Sequence, residues 1–249
     1  MLHSVYWISI LLPLLIAFFL FAHFSFREFK PYSYKQTFLI ITNVVVFGYV
    51  GARINHVIQY DMLFIDNINS IKDFIHSFFY NAGYKMPMGY TGALIGVIVV
   101  RVYFATLQSY LQALDKFVLF ATFVSVFGNI GCFFDGHFGC RGTQTNLPWG
   151  CFYTFTKLTS NVPLHPMQLY TVFLMAVLFV WQLLSKQKTT GTKFFASMFV
   201  VMVYNIIIDS IRERFALLGI ISFCQIIYFC NCIILGVMFY KFKKILKSN

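Results

Sequence analysis

The sequence predicts an all-α, polytopic membrane protein, and three properties of the chain lead to this fold class. Of its 249 residues, 59% are hydrophobic and only 11% are charged, and the mean hydropathy is +0.74. Soluble domains of this size carry about twice that charged fraction. The apolar residues also run in unbroken stretches of about 20, which suit a membrane-crossing helix and not a barrel of short alternating strands. We therefore expect lipid to surround most of the chain.

About seven such stretches follow one another along the sequence. They cover roughly 4–26, 36–58, 89–109, 116–134, 167–185, 193–211 and 218–240. No linker or shift in composition separates them, so we expect residues 1–249 to form a single transmembrane domain.

The segment 62–82, between the second and third stretches, has a different pattern. Apolar residues recur in it at helical spacing, with Asn, Lys, Asp and His between them. This pattern predicts an amphipathic helix that lies on the membrane surface.

The lysines and arginines are unevenly shared between the connections. Eleven lie on the side of the C-terminal tail, and six lie on the opposite side together with most acidic residues. By the positive-inside rule, the C-terminus is cytoplasmic and the N-terminus is outside. The net charge of +11 then reflects orientation and attraction to anionic lipid, with no need for a nucleic-acid partner. The long connections 59–88 and 135–166 lie outside, where we expect the functional site.

Ionisable side chains within a span are costly unless they meet a partner or water, which makes them site candidates. Arg53 lies near the outer end of the second stretch. The alternative to a functional role is that its side chain extends to the membrane interface. Arg101 lies near the middle of the third. In the sixth stretch, Asn205, Asp209 and Arg212 fall on one helical face at i, i+4 and i+7. The alternative to a functional role is that this face packs against other helices.

Two further segments are dense in polar chemistry. Residues 128–141 contain Asn129, Asp135, His137 and Arg141 among four glycines. A carboxylate, an imidazole and a guanidinium at a membrane exit can bind a phosphate headgroup and move a proton; a glycine-rich helix end with solvated polar residues is the alternative.

The second of these segments opens the fifth stretch. It places His165, Gln168 and Tyr170 in one turn between and after two prolines. On the same outer side lie Cys140 and Cys151, and an oxidising compartment would allow them to form a disulfide. The sequence has no P-loop and no credible zinc set, so it predicts neither a cofactor nor a metal.

Several short motifs follow one another between about 48 and 230. They are Gly51-Ala52-Arg53-Ile54, Gly92-Ala93-Leu94-Ile95-Gly96, Gly128-Asn129-Ile130-Gly131-Cys132-Phe133, Leu147-Pro148-Trp149-Gly150, His165-Pro166-Met167-Gln168-Leu169-Tyr170, Asp209-Ser210-Ile211-Arg212-Glu213 and Gln225. Taken together and in this order, they resemble one family, the phosphatidylglycerol–prolipoprotein diacylglyceryl transferases of bacterial inner membranes. The family's seven helices with an outer N-terminus agree with the pattern of this chain.

The resemblance implies an enzyme of lipoprotein biosynthesis. Its reaction is the transfer of a diacylglyceryl group from phosphatidylglycerol to the lipobox cysteine thiol of a prolipoprotein, with release of glycerol phosphate. The implied location is the bacterial cytoplasmic (inner) membrane, with the site toward the outer leaflet. The implied partners are phosphatidylglycerol, prolipoprotein signal peptides and the lipid bilayer.

The chain departs from the family's pattern where chemistry is expected. Thr91 stands in place of a His, and Asn129 and Asn205 each stand in place of an Arg. We therefore expect the roles to have moved to other residues. The candidate catalytic residues are His137, Tyr90 and Asp135. The candidate substrate-binding residues are Arg53, Asn129, Arg141, His165, Gln168, Tyr170, Asn205, Asp209 and Arg212. The alternative is a catalytically altered or inactive relative that binds anionic lipid or a lipoprotein precursor.

Overall fold

The computed structural model of the chain is predominantly helical in the part that it describes. That part comprises residues 15–16, 19, 34–58, 70–80, 86–135, 141–153, 160–186, 189–212 and 222–248. Its helices are α1 (Tyr34–His56), α2 (Ile71–Tyr80), α3 (Met86–Val100), α4 (Leu107–Asp135), α5 (Met167–Leu184), α6 (Thr192–Ile208) and α7 (Phe223–Ser248). Within these ranges, β-structure is limited to isolated bridges. The all-α fold class is therefore confirmed.

Five of these helices, α1, α4, α5, α6 and α7, are long and apolar enough to cross a membrane. Helix α3 is apolar but has only 15 residues. At 1.5 Å per residue it is about 22 Å long, less than the roughly 30 Å of a hydrocarbon core. A multi-pass helical membrane protein is thereby confirmed, and the first predicted span, 4–26, lies almost wholly outside the described residues.

The prediction that Arg101 lies in the middle of a span is wrong. Helix α3 ends at Val100, and Arg101 opens a 3-10 turn that leads into extended backbone at Phe104. The Arg101 Nη1 donates to the Phe104 carbonyl oxygen at 2.7 Å, and the guanidinium lies 5.8 Å from the centre of the Tyr110 ring. Arg101 therefore lies at a helix end, where its guanidinium contacts a carbonyl oxygen and an aromatic ring.

Helix α4 begins well before the predicted residue 116. Its start is fixed by Thr106, whose Oγ1 accepts a hydrogen bond from the Ser109 backbone N–H at 3.1 Å. This is the bond of a helix N-cap. Lys116, one of the eleven basic residues assigned above to connections on the side of the C-terminal tail, consequently lies within the helix.

Helix α7 begins with a capping box. The Gln225 backbone N–H donates to the Ser222 hydroxyl, and the Ser222 backbone N–H donates to the Gln225 side-chain oxygen, both at 3.1 Å. Such a pair satisfies two N–H groups that lack a partner in the first turn. The Gln225 side chain, part of the family resemblance, thus has a structural function at this helix start.

Part of the amphipathic helix predicted over 62–82 is present as α2, and residues 62–69 and 81–82 lie outside the described residues. Its apolar residues Ile71, Ile75 and Phe79 lie four apart and are 73%, 51% and 72% exposed. Ser70 caps the helix, with its hydroxyl accepting from the Asp73 backbone N–H at 3.3 Å. A stripe of this kind is typical of a helix that lies on a membrane, and that location stays a prediction.

The chain divides into two compact units, a first unit of Pro31–Tyr110 with Ala216–Asn249 and a second unit of Met1–Lys30 with Leu111–Phe215. In the first unit, α1 and α3 pack against each other through glycines. A Cβ on Gly51 would overlap the Met88 backbone, and a Cβ on Gly92 would overlap the Phe47 backbone. Glycines of this kind let membrane helices approach closely.

In the second unit, a buried amide joins α4, α5 and α6. Gln182 of α5 is 1% exposed. Its side-chain oxygen accepts from the Thr122 hydroxyl of α4 at 3.3 Å, and its amide donates to the Ser197 hydroxyl of α6 at 2.8 Å. These bonds fix three helices relative to one another within the unit.

Asp115 fixes the start of α6. Its carboxylate accepts from the backbone N–H of Gly191 at 2.7 Å and of Phe194 at 2.8 Å. A negative charge at a helix N-terminus is favourable. The sequence did not single out Asp115, because the groups it caps are 76 and 79 residues away along the chain.

Candidate functional site

Three segments at the ends of α4, α5 and α6 pair through their backbones in the second unit. Gly142 N–H donates to the His165 carbonyl oxygen at 3.0 Å, and His165 N–H donates to the Thr143 carbonyl oxygen at 3.1 Å. On the other side, Thr143 N–H donates to the Ile211 carbonyl oxygen at 2.9 Å, and Gly142 forms a bridge with Arg212. We call the residues 142–145, 163–165 and 211–212 the three-segment junction.

Gly142 has no space for a side chain at the centre of this junction. A Cβ there would overlap the Cβ of His165 and would lie 2.9 Å from the His165 carbonyl oxygen and 3.0 Å from the Ile211 carbonyl oxygen. Only glycine lets the three backbones come this close.

Arg141, Tyr153 and Gln168 form a buried group beside the junction. They are 3%, 0% and 2% exposed. The Arg141 guanidinium lies 4.6 Å from the centre of the Tyr153 ring, a favourable cation–π distance. The Tyr153 hydroxyl donates to the Gln168 side-chain oxygen at 2.9 Å. Arg141 and Gln168, both predicted from the sequence, are thus brought together by Tyr153, which was not.

His165, Tyr170 and Trp149 form a second polar group. The Trp149 Nε1–H donates to the Tyr170 hydroxyl at 2.8 Å, and that hydroxyl lies 3.1 Å from His165 Nδ1. Because an indole N–H is only a donor, the Tyr170 oxygen accepts from it and its own proton is available to His165. In that arrangement, a neutral His165 carries its proton on Nε2, where it can serve as a donor.

Arg212 does not share a helical face with Asn205 and Asp209, contrary to the prediction. Helix α6 ends at Ile208, a 3-10 turn covers Asp209–Ile211, and Arg212 is extended. The Asn205 amide donates to the Val201 carbonyl oxygen at 2.8 Å within its own helix. Asp209 is 2% exposed, and Arg212 belongs to the three-segment junction.

Arg53 lies in the first unit and is 2% exposed. Its Nε donates to the Phe78 carbonyl oxygen at 2.9 Å, and its Nη2 donates to the carbonyl oxygens of Ser77 and Phe78 at 2.5 and 2.6 Å. These carbonyls end α2, where no intrahelical donor is available to them. Arg53 therefore joins α1 to the end of α2.

The residues at which the chain departs from the motifs of the family that it resembles form internal hydrogen bonds. In the first unit, the Thr91 hydroxyl donates to the Asn231 side-chain oxygen at 3.0 Å, which joins α3 to α7. Tyr90 is half-buried, with its ring centre 6.1 Å from that of Tyr228. In the second unit, the Asn129 amide donates to the Ser125 carbonyl oxygen at 2.8 Å.

Two of the predicted catalytic residues, Asp135 and His137, lie at and just beyond the end of α4 in the sequence. Asp135 is the last residue of α4, and His137 lies outside the described residues, as does Cys140. Cys151 is a free thiol, and its burial raises its pKa. In the described part of the chain, no group of three or more His, Cys, Asp or Glu side chains is arranged to hold a metal ion.

Sequence reasoning missed three residues of these groups: Tyr153, Asn231 and, as a hydrogen-bond donor, Trp149. Trp149 lies in a motif that the sequence did mark. Tyr153 and Asn231 had no such signal, because each makes its contact with a residue that is distant along the chain or on another helix.

Comparison with known proteins identifies the family. The family model for prolipoprotein diacylglyceryl transferases matches residues 2–241. The phosphatidylglycerol–prolipoprotein diacylglyceryl transferase of Clostridium tetani is 26% identical over 189 residues, which is 74% of this chain and 71% of that protein. The enzymes of the same name from Leptothrix cholodnii and Paracidovorax citrulli are 28% and 32% identical, over 64% and 54% of this chain and 58% and 51% of their own lengths.

The chain thus spans between about half and seven-tenths of the length of these relatives. The low identity marks it as a divergent member, in agreement with the substitutions at positions 91, 129 and 205. The match of the family model over nearly the whole chain confirms the resemblance carried by the motifs. The chain belongs to the prolipoprotein diacylglyceryl transferase family.

Proposed function

We propose that this chain transfers a diacylglyceryl group from phosphatidylglycerol to the lipobox cysteine thiol of prolipoproteins in a bacterial cytoplasmic membrane. Family membership over residues 2–241 carries the proposal, because the relatives named above bear this activity in their names. The junction supports it, since it contains His165 and Arg212 and lies beside the buried Arg141, which are groups that can bind a phosphate.

The reaction makes three physical demands. The cysteine thiol loses its proton to a base, and the sulfur then attacks the glycerol carbon that bears the phosphate. A carbon–sulfur bond forms, the carbon–oxygen bond to the phosphate breaks, and glycerol phosphate leaves. The departing phosphate gains negative charge, which cationic and N–H donors stabilise best in a site without bulk water.

We propose that residues of the second unit bind the phosphate of the substrate. Arg141 is buried next to the junction, Arg212 lies in it, and His165 can present an Nε2–H donor. The full set of proposed substrate-binding residues is Arg53, Asn129, Arg141, His165, Gln168, Tyr170, Asn205, Asp209 and Arg212. The proposed catalytic residues are His137, Asp135 and Tyr90.

We further propose seven membrane spans in one transmembrane domain, with the N-terminus outside, the C-terminus cytoplasmic and the site toward the outer leaflet. Within the second unit, the junction is at the C-terminal ends of α4 and α6. The basic residues Lys186 and Lys193 lie at the other end, after α5 and at the start of α6. Lys241, Lys243 and Lys244 likewise lie near the C-terminal end of α7. By the positive-inside rule, this charge distribution supports a junction that faces away from the cytoplasm.

A second candidate function is binding of anionic lipid or a lipoprotein precursor without turnover. It is favoured by the internal hydrogen bonds of Thr91 and Asn129, which occupy positions where the family has a His and an Arg.

Reconstitution separates the two functions. We expect purified protein in phosphatidylglycerol vesicles to convert a lipobox peptide to its thioether-linked diacylglyceryl form, detected by mass spectrometry. His137→Ala is expected to abolish turnover, whereas His76→Ala, an exposed histidine on α2, is expected to retain it. Lipid binding without product would favour the second function, and full turnover by His137→Ala would remove that residue from the site.

A further inference from the structure

The Gln168 side chain has an unused donor in the interior of the second unit. Gln168 is 2% exposed, and its Nε2 has no hydrogen-bond partner among the described residues. A buried N–H group that makes no hydrogen bond loses its interaction with water without compensation. Such a group in a family of enzymes suggests that a substrate supplies the missing acceptor.

Tyr153 determines which end of this amide is available. Its hydroxyl donates to the Gln168 Oε1 at 2.9 Å, so the end without a hydrogen-bond partner among the described residues is Nε2, which has two N–H donors. Tyr153 is itself fixed, because it is fully buried and its ring packs against Phe133 with centres 5.7 Å apart.

The charge around this amide favours an anion. The Arg141 guanidinium lies on the face of the same tyrosine ring, at 4.6 Å. Gln168 is the second residue of α5, and the N-terminal end of a helix carries a partial positive charge. The Gln168 amide is covered, so an acceptor reaches it only when neighbouring side chains move aside.

We propose that Tyr153 is a positioning residue that holds the Gln168 amide with its N–H groups toward an anionic phosphate oxygen of the substrate. The proposal rests on the function proposed above, and it assigns to Tyr153 a role in phosphate recognition that the sequence motifs do not indicate. The phosphate belongs either to the phosphatidylglycerol headgroup or to the departing glycerol phosphate, both of which present an anionic phosphate oxygen.

Binding measurements on purified full-length protein test the proposal. The probes are phosphatidylglycerol, glycerol 1-phosphate and, as a phosphate-free control, diacylglycerol. We expect Gln168→Met to weaken binding of a phosphate-bearing probe by about tenfold or more, as for a lost hydrogen bond to a charged group. Tyr153→Phe keeps the ring under Arg141 and is expected to weaken the same binding by about threefold to tenfold. The probe that is affected identifies the source of the phosphate.

Two further variants separate positioning from general damage. Tyr110→Phe removes a buried tyrosine hydroxyl that donates to the Val97 carbonyl oxygen at 2.7 Å in the first unit, and we expect it to leave phosphate binding unchanged. If Tyr153 acts through Gln168, then Tyr153→Phe adds no further loss in the Gln168→Met background, as a double-mutant cycle measures.

Several results would overturn the proposal. In Gln168→Met, such results are unchanged binding of both phosphate probes, or a loss of affinity for diacylglycerol as large as the loss for the phosphate probes. Wild-type affinity in Gln168→Glu would also contradict it, because glutamate keeps the acceptor atoms and lacks the donor. Thioether formation by the wild-type protein is measured separately. Its absence would contradict the transferase function and leave the binding result to decide on Tyr153.

Discussion

Arg53 illustrates how a charged side chain inside a membrane helix is satisfied within the protein. The sequence offered two explanations, a side chain that reaches the interface or a substrate ligand. The structure adds a third, because the guanidinium donates to the carbonyls of Ser77 and Phe78 at the end of α2. A cation at the negative end of a helix is also favourable electrostatically. A contact between Arg53 and substrate stays a prediction.

At the same scale, Cys151 is expected to react slowly. Because burial raises the pKa of its thiol, less of the reactive thiolate is present at neutral pH than for an exposed cysteine. We expect maleimide to label Cys151 several-fold more slowly at pH 7 than a cysteine introduced by Asn161→Cys, at an exposed position.

The two rates are measured by mass spectrometry on variants with the other cysteines replaced, and they should converge as the pH rises through the thiol pKa. Equal rates at pH 7 would contradict the expected shift. The Cys151→Ser change is expected to preserve turnover, since a thiol held protonated is a poor nucleophile.

At the scale of elements, the three-segment junction depends on Gly142. We expect Gly142→Ala to lower the free energy of unfolding by about 1–3 kcal/mol, the usual cost of forcing a group into a filled space. Transferase turnover should fall as well, because His165 and Arg212 lie on the two segments that would be pushed apart.

Thermal unfolding in detergent measures the stability change. Gly236→Ala in α7 is the matched control, since a Cβ there meets nothing within 4 Å and alanine is the better helix former. A Gly142→Ala protein as stable and active as the wild type would show that the junction can widen at little cost.

The sequence predicted helices better than helix ends. The long apolar runs give α1, α4, α5, α6 and α7 with the right order, since periodicity and length are local properties. The end of α3 at Val100 was missed because no glycine or proline marks it. The end of α6 was missed for the same reason, and Arg212 was consequently placed on a helix that had already stopped.

At the scale of the whole molecule, the charge pattern predicts an orientation that can be measured. Asn161 precedes α5 and Thr189 follows it, and both are exposed. In a cysteine-free background, we expect Asn161→Cys in intact cells to react with a membrane-impermeant maleimide, and Thr189→Cys to react only after the membrane is permeabilised. The reverse pattern would contradict the proposed orientation.

The sequence also predicted the family, because the motifs are short and contiguous. It could not predict which distant residues form hydrogen bonds with one another. The bonds of Tyr153 with Gln168, of Thr91 with Asn231 and of Asp115 with Gly191 connect residues separated by 15, 140 and 76 positions. Such pairs follow from how helices pack, which local patterns do not encode.

The backbone pairing of Thr143 with Ile211 also has a consequence for the order of events during synthesis. These residues are 68 positions apart, and closing a loop of that length precedes any gain from the contact. A growing chain that has not yet reached Ile211 lacks one of the three paired strands of backbone. The junction is therefore completed only after α6 has emerged, so the phosphate binding proposed for this site requires a nearly complete chain.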